Sequence, residues 1–305
     1  MAVTINQLTA FLAVVRRGSV TAAAEELVVT QPSVSAAVAA LERELGAKLT
    51  ERDGRGLKPT AAGRAFAPYA EHVLGLLEQG GRAAREAVED ERRTLRVSAV
   101  ATAGEHFAPL LIKAFAERHP ELVISLDVGN RADVFQRLVE RDVDVGITGR
   151  VPDDPWLRGV AFAPNEFALV AAPGEPLAKR QGIEVEELGD CTWLVREEGS
   201  GTRALCQRYL TANKLQPNLL TLGSNGAIRQ AARFGLGIAL ISRIAVEVEL
   251  QHGLLAELRV AAPLPRRAWH VVYVSDGPVR PEVEAFVEFL QSNAARHVLA
   301  RASES

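Results

Sequence analysis

The sequence predicts two architectures in series. An N-terminal all-α domain with a helix-turn-helix and a basic turn leads through a long linker helix into a C-terminal α/β domain. Three observations predict this. Residues 18–46 hold two short helical patterns separated by Thr30-Gln31-Pro32-Ser33. Residues 59–93 carry apolar side chains at spacings of three and four. From residue 95, short β-branched runs alternate with amphipathic stretches.

Composition narrows the function classes. A chain of 305 residues has room for two or three domains, and 48% hydrophobic with 24% charged residues is ordinary for a globular protein. The net charge of −3 gives no global basic signal, so nucleic-acid binding would need a local patch. Residues 1–60 hold seven Lys or Arg against six Asp or Glu, so charge alone does not point to DNA. The two cysteines, Cys191 and Cys206, form no Cys-x-x-Cys, which argues against a disulfide framework and a structural zinc site. The six histidines show no metal spacing, and no Ser-His-Asp set can be assembled. No metal, cofactor or catalytic role is therefore expected. No apolar run reaches the roughly 18–20 residues of a membrane span, and the N-terminus lacks a basic region and a small-residue cleavage site. A cytoplasmic protein with no membrane partner is the expectation.

In the N-terminal region, Leu8, Phe11, Leu12 and Val15 fall at helical spacing. Ser19 or Thr21 caps a second helix that ends near Val28-Val29. A third begins at Gln31-Pro32, where proline suits the first turn, and stops at Gly46. Val34, Val38, Leu41 and Leu45 form its inner stripe, leaving Gln31, Ser33, Ser35 and Ala37 outward. Small residues let a helix seat in the major groove, and amide or hydroxyl groups can read base edges. An Ala-rich helical hairpin would give the same periodicity. The following stretch, TERDGRGLKPT, places Arg52, Arg55 and Lys58 around two glycines and reads as a wing that sets cations near phosphate or in the minor groove.

These residues, LTAFLAVVRRGSVTAAAEEL, then TQPSVSAAVAALERELGAKLTER, then KPTAAG, resemble the winged helix-turn-helix of LysR-type transcriptional regulators. The resemblance extends over nearly the whole chain. It implies base reading at Gln31, Pro32, Ser33 and Ser35 and wing contacts from Arg52 and Arg55; Thr21 and Lys58 are further candidates for contact with DNA. Many members carry a basic or long polar residue after the serine matching Ser35. Here Ala36 and Ala37 follow, which shifts affinity toward the wing.

Residues 59–93 read as a connecting helix started by Thr60 or Pro59, with Phe66, Tyr69, Val73, Leu76 and Leu77 as its stripe. The family uses this segment as an antiparallel dimerisation helix. Pro68 is expected to kink it, Gly80-Gly81 to weaken it, and the charged run EAVEDERR to act as a solvated hinge.

The α/β part contains the strand-like runs LRVSAV, LVISLDVG, VDVGITG, FALVAAP and TWLVR, with mostly parallel pairing expected and a ligand cleft at their C-terminal ends. The resemblance implies two Rossmann-like subdomains hinged like a periplasmic binding protein. The chain would cross between them near 162–166 and 266–269. The expected division is 1–58 for the DNA-binding domain, 59–93 for the linker, 94–165 with 267–305 for subdomain I, and 166–266 for subdomain II.

Cleft chemistry follows from the strand-to-helix junctions. Ala101-Thr102-Ala103-Gly104, the Glu197–Arg203 loop containing GSGTR, and Ser224-Asn225-Gly226 each open a helix whose free N–H groups favour an anion. Ser200, Gly201, Thr202 and Arg203 would supply hydroxyls, close approach and a guanidinium. Asn225 joins them from the third junction. The resemblance adds positions matching Thr102, Thr148 and Thr202. Asn130 and Arg131 are secondary candidates.

The expected ligand is an anionic metabolite, phosphorylated or carboxylate-bearing. The GSGTR loop resembles that of members governing carbon-fixation or sulfur-assimilation genes. The partners implied are double-stranded promoter DNA, a small anionic effector, a second copy in a homodimer or homotetramer, and RNA polymerase. Two alternatives use the same residues: an enzyme holding phosphate at the GSGTR loop, or a metabolite-binding protein with no DNA role. A peroxide-sensing pair of Cys191 and Cys206 is a further idea, since some relatives of the family use one.

Overall fold

The computed structural model describes residues 3–54, 56–88, 93–275 and 277–302. The chain divides into two compact units, formed mainly by residues 1–91 and mainly by residues 92–305. No helix among the described residues is long and apolar enough to cross a membrane.

The first unit is built on three helices: α1 (Ile5–Arg17), α2 (Val20–Leu27) and α3 (Gln31–Leu45). Each start is fixed by a hydroxyl cap. Thr4 accepts from the amide of Gln7, Ser19 from that of Ala22, and Thr30 from that of Ser33. Ser19 is therefore the cap of α2, and Thr21 lies exposed inside the helix. Gly46 closes α3 in a left-handed conformation with φ 65°. Phe11, Leu12, Ala23, Val34 and Leu41 interlock in the core, with Leu45 only partly buried at its edge.

A two-stranded antiparallel wing follows, β1 (Thr50–Asp53) and β2 (Gly56–Pro59). Its attachment depends on Glu42, a carboxylate only 7% exposed on the inner face of α3. Glu42 accepts from the amides of Leu49 at 2.9 Å and Thr50 at 3.2 Å, and from Lys48 Nζ at 2.6 Å. Burial by itself raises its pKa. The Lys48 bond and the two amides outweigh burial and hold it below the ordinary carboxylate value.

The linker helix α4 (Ala61–Val88) runs through Pro68, Gly80 and Gly81 without interruption. Proline thus does not end the helix here, although it removes one hydrogen bond. Gly63 in the first turn has a steric reason: a Cβ there would stand 2.0 Å from the carbonyl oxygen of Leu49. Phe66 belongs to the first unit's core, its ring 5.8 Å from that of Phe11, instead of to the outer stripe. Tyr69, Val73, Leu76 and Leu77 remain exposed, Tyr69 at 60%. Residues 89–92 of the charged run lie outside the described residues.

The second unit has two lobes. The first opens with β3 (Thr94–Val100), α5 (Ala101–His106), α6 (Ala108–Ala116), β4 (Val123–Gly129), α7 (Arg131–Val139), β5 (Val145–Thr148) and β6 (Leu157–Asn165). The second lobe holds β7 (Phe167–Ala171), β8 (Gln181–Ile183), β9 (Trp193–Arg196), α8 (Gly201–Ala212), β10 (Leu219–Leu222), α9 (Asn225–Arg233), β11 (Ala239–Ser242), α10 (Glu247–Gln251), β12 (Ala256–Glu257) and β13 (Arg259–Val260). The chain then returns through β14 (Arg267–Val274) to α11 (Pro281–Gln291) and α12 (Asn293–Ala302).

Parallel pairing is only part of the arrangement. The five-stranded sheet has the order β4-β3-β5-β14-β6, with β3, β4 and β5 parallel and β14 antiparallel to both its neighbours. In the second lobe β9 and β10 are parallel, whereas β7 pairs antiparallel with β11 and β12. The strand carrying the chain out of the first lobe and the one bringing it back run in opposite directions, which makes them an antiparallel pair. β6 is not among the strand-like runs legible in the sequence, and it contains Gly159 and Pro164. It is an edge strand, where a proline costs no ladder bond.

Removing the Glu42 carboxylate tests how the wing is held. Glu42→Ala is expected to speed amide exchange at Leu49 and Thr50 by about 5- to 150-fold at pH 7, equivalent to about 1–3 kcal/mol for the unpaired groups. Because the folded-state pKa is lowered, the stabilisation is complete above the unfolded value of 4.5 and fades as pH falls through the folded value. The difference between wild type and variant should therefore shrink in acid. Hydrogen exchange followed by mass spectrometry measures it.

Candidate functional site

The cleft of the second unit lies where β3, β4, β5 and β9 end. Ala101 and Thr102 reach it from the start of α5, Asn130 and Arg131 from the start of α7, and Ser200, Gly201 and Thr202 from the start of α8. Helix starts converge there because each follows a strand whose C-terminus points the same way, and their dipoles favour negative charge. Some of these amides are already used: Asn130 Oδ1 accepts from Ala132 and Asp133, and Ser200 Oγ from Arg203.

Four arginines line the cleft, and only Arg131 figured in the sequence reading. Arg150 follows β5, Arg196 ends β9, and Arg267 opens β14. Arg196 is buried and fully engaged. Its Nε and Nη2 bond Glu197 at 2.6 and 2.8 Å, and its Nη1 donates to Asn225 Oδ1 at 2.6 Å. The other three have no carboxylate partner among the described residues. Arg267 lies over the Phe167 ring, with its guanidinium carbon 6.0 Å from the centroid, and its Nη2 is buried without a hydrogen-bond partner. Burial, then the charges of Arg150 and Arg208, push Arg131 below the ordinary arginine value. Of the four guanidinium groups lining the cleft, one is balanced by Glu197 and three have no carboxylate partner among the described residues. The cleft encloses about 40 Å³, room for a few water molecules.

Three sequence candidates lie off the cleft wall. Arg203 Nη1 turns to the carbonyl of Arg196 at 2.7 Å and to Thr221 Oγ1 at 3.2 Å, so the guanidinium of the GSGTR loop buttresses β9. Thr148 is completely buried and donates to the Arg150 carbonyl at 2.8 Å, which fixes the turn that carries Arg150. Asn225, also completely buried, donates to Thr102 Oγ1 at 2.9 Å while accepting from Arg196. It bridges the start of α9 in one lobe to α5 in the other. Arg150, Arg196 and Arg267 are not singled out by the sequence because each sits at or next to the end or start of a strand and none at a helix start.

In the first unit, Gln31, Pro32, Ser33 and Ser35 are all exposed on the first turns of α3, beside exposed Thr21. Ala36 is exposed as well, whereas Ala37 is half-buried. On the wing, Arg52 is exposed with no carboxylate partner among the described residues. Lys58 stands 3.4 Å from Asp53 and 4.0 Å from Glu51, so its charge is partly neutralised. Arg55 lies outside the described residues.

The cysteines are poorly suited to peroxide chemistry, which needs a thiolate. Cys206 is buried in the second lobe's core, and burial pushes its thiol up to about 12. Burial, with Glu175 and Asp190 nearby, also raises the half-buried Cys191. A thiol reagent at pH 8 should modify Cys191 slowly and Cys206 only after unfolding, and mild peroxide should give no intramolecular disulfide by mass spectrometry. A 2 Da loss after peroxide would contradict this.

Comparison with known proteins follows the same division. Residues 5–64 match the description "Bacterial regulatory helix-turn-helix protein, lysR family", and residues 89–295 match "LysR substrate binding domain". The chain is 36% identical over 297 residues to a RuBisCO operon transcriptional regulator of Allochromatium vinosum, covering 97% of this chain and 98% of that one. An OxyR mutant of Corynebacterium glutamicum aligns with a TM-score of 0.62 at 25% identity, covering 100% of this chain and 95% of the other. The CcmR regulatory domain of Synechocystis, solved in complex with 2-PG, aligns with a TM-score of 0.61 at 28% identity, covering 65% and 95%. A helix-turn-helix with an outward polar first turn, followed by a two-lobed α/β domain with a cationic cleft, matches across both parts: the chain belongs to the LysR family of DNA-binding transcriptional regulators, and not to an enzyme family.

Proposed function

We propose that this regulator senses a small phosphorylated or carboxylate-bearing metabolite held among Arg131, Arg150 and Arg267. The observation that carries the reading is the unbalanced positive charge, with one buried guanidinium nitrogen of Arg267 lacking any partner. Like charges this crowded repel, and an anion with several oxygens relieves the repulsion while making bidentate bonds. Ala101, Thr102, Ser200, Gly201 and Thr202 would form its rim. Thr148, Arg203 and Asn225 would hold that rim in place. The likeness to a regulator of the RuBisCO operon and to a domain solved with 2-PG favours a phosphorylated ligand.

Binding of such a ligand would part the lobes or displace arginine side chains. That movement is the proposed signal, since a ligand shifts an equilibrium only through its different affinity for the two states. On the DNA side, Gln31, Pro32, Ser33 and Ser35 would face base edges, with Thr21, Arg52, Arg55 and Lys58 near phosphates. The exposed Tyr69, Val73, Leu76 and Leu77 would seat a second copy, giving a dimer or tetramer. The division at 58, 93, 165 and 266 assigns these roles to separate domains. The same reading puts the protein in the cytoplasm with promoter DNA and makes RNA polymerase a further partner.

Two measurements test the proposal. In calorimetry with 2-phosphoglycolate, Arg131→Gln and Arg267→Gln should each weaken binding by about tenfold, the equivalent of one charge-assisted hydrogen bond. Unchanged affinity in both would remove the cleft from the mechanism. DNase I footprinting on the DNA upstream of its own gene should show protection over several helical turns. There, Arg52→Ala should weaken binding to all duplexes and reduce the salt slope by about one, while Gln31→Ala should relax discrimination at one base pair. Equal salt slopes with affinity loss alone in both variants would overturn this division of labour.

A further inference from the structure

The polar groups of the cleft are sorted by direction. Among the described residues no carboxylate lines it, and the oxygens that could accept a hydrogen bond are largely turned inward and used. Asn130 Oδ1 accepts from the amides of Ala132 at 2.8 Å and Asp133 at 3.1 Å, and Asn165 Oδ1 accepts from Ser242 Oγ at 2.8 Å. The carbonyls of Arg150, Arg196 and Gly201 accept from the side chains of Thr148, Arg203 and Arg267. The groups this leaves for a ligand are mainly guanidinium and amide N–H, which can only donate.

Thr102 is different, because a hydroxyl can donate or accept. Its direction is set from behind the wall. Arg196 carries only donors, so the atom of Asn225 that stands 2.6 Å from Arg196 Nη1 must be the oxygen. The amide nitrogen of Asn225 then faces Thr102 and donates to Oγ1 at 2.9 Å. The reverse arrangement would set N–H against N–H at a completely buried side chain. Thr102 Oγ1 therefore accepts on its inner side. It makes no other hydrogen bond among the described residues, and its own hydrogen is available to the cleft that it lines.

We propose, on the reading that the cleft holds an anion, that the Arg196–Asn225–Thr102 chain makes it selective for an oxyanion group in its fully ionised form. Asn225 is the positioning residue, acting through Thr102. An ionised oxygen accepts from the Thr102 hydroxyl and from the N–H groups around it. A protonated oxygen sets O–H against O–H at Thr102 and meets no carboxylate or unengaged amide oxygen in the lining. A donor left unpaired in a closed site costs more than a contact merely missed. An aspartate at 225, of the same shape, would accept from both Arg196 and Thr102. It would turn the Thr102 hydrogen inward and present an oxygen lone pair to the cleft, reversing the preference.

The test uses the full chain at about pH 6, where inorganic sulfate carries no proton and most inorganic phosphate carries two. Equilibrium dialysis with the two radiolabelled ions measures the ratio of their affinities at one state of protein titration. Wild type should favour sulfate by about tenfold, the equivalent of one charge-assisted hydrogen bond. Asn225→Asp should bring that ratio to about one. Thr102→Val should lower it as well, and Asn225→Asp added to Thr102→Val should change it no further, because no hydroxyl remains to be turned. Thr102→Ser, which restores the hydroxyl, should recover the ratio lost in Thr102→Val. No sulfate binding by wild type at millimolar concentration would overturn the proposal, as would a wild-type ratio near one. So would an effect of Asn225→Asp that is equal with and without the Thr102 hydroxyl, since that is the mark of bare charge. If Arg131→Gln and Arg267→Gln weaken sulfate while Asn225→Asp keeps the wild-type ratio, the role of Asn225 falls and the anion reading of the cleft stands. Sulfate binding indifferent to both arginine variants would overturn both.

Discussion

The side chain of Asn225 is the constraint on which the cleft depends. It is completely buried, its carbonyl is taken by the Arg196 guanidinium, and its amide is spent on Thr102 in the opposite lobe. A buried hydrogen bond to a charged group contributes about 1.5–3 kcal/mol net, and a partner left unpaired costs a similar amount. The bridge therefore fixes three things together: the rotamer of Arg196, the position of the α5 start, and the separation of the lobes at that point. With Arg196 neutralised by Glu197 and held by Asn225, the uncompensated charge of the cleft falls to Arg131, Arg150 and Arg267.

The first unit works by an opposite economy, with a strong buried polar contact set away from the exposed polar face. Glu42 binds the wing to α3 from inside, while Gln31, Ser33 and Ser35 carry no structural duty in the core. This separation leaves the outer face free to be specified by a partner. The near-neutral charge of residues 1–60 does not show where the charges stand, because pairing consumes residues of both signs. Glu42 is buried, and Glu26 pairs with both Arg16 and Arg17. What matters to a phosphate is the cation left unpaired at the surface, and Arg52 is such a cation.

The crossover gives the second unit its mechanical character. β6 leaves the first lobe and β14 returns to it as an antiparallel pair, so the lobes are joined by two adjacent strands and not by a loose loop. The cleft borders on this pair through Asn165, Arg267 and Trp269.

By itself the sequence determined what depends on neighbours in the chain. The caps Ser19 and Thr30, the stop at Gly46, the buried stripe of α3 and the strand-helix alternation are local, set by backbone hydrogen bonding and period. The starts of α5 and α8 in the cleft were legible for the same reason. Only the tertiary structure decided which isolated cations converge. Arg150, Arg196 and Arg267 lie far apart in the chain and meet through sheet order, and Arg203, adjacent to the readable GSGT motif, turns away because Thr221 and the Arg196 carbonyl satisfy it. Likewise β6 became a strand, despite Gly159 and Pro164, because its edge position demands hydrogen bonds from one side only. Local propensity fixes the elements, but charge and cavity belong to surfaces that exist only once the elements have packed.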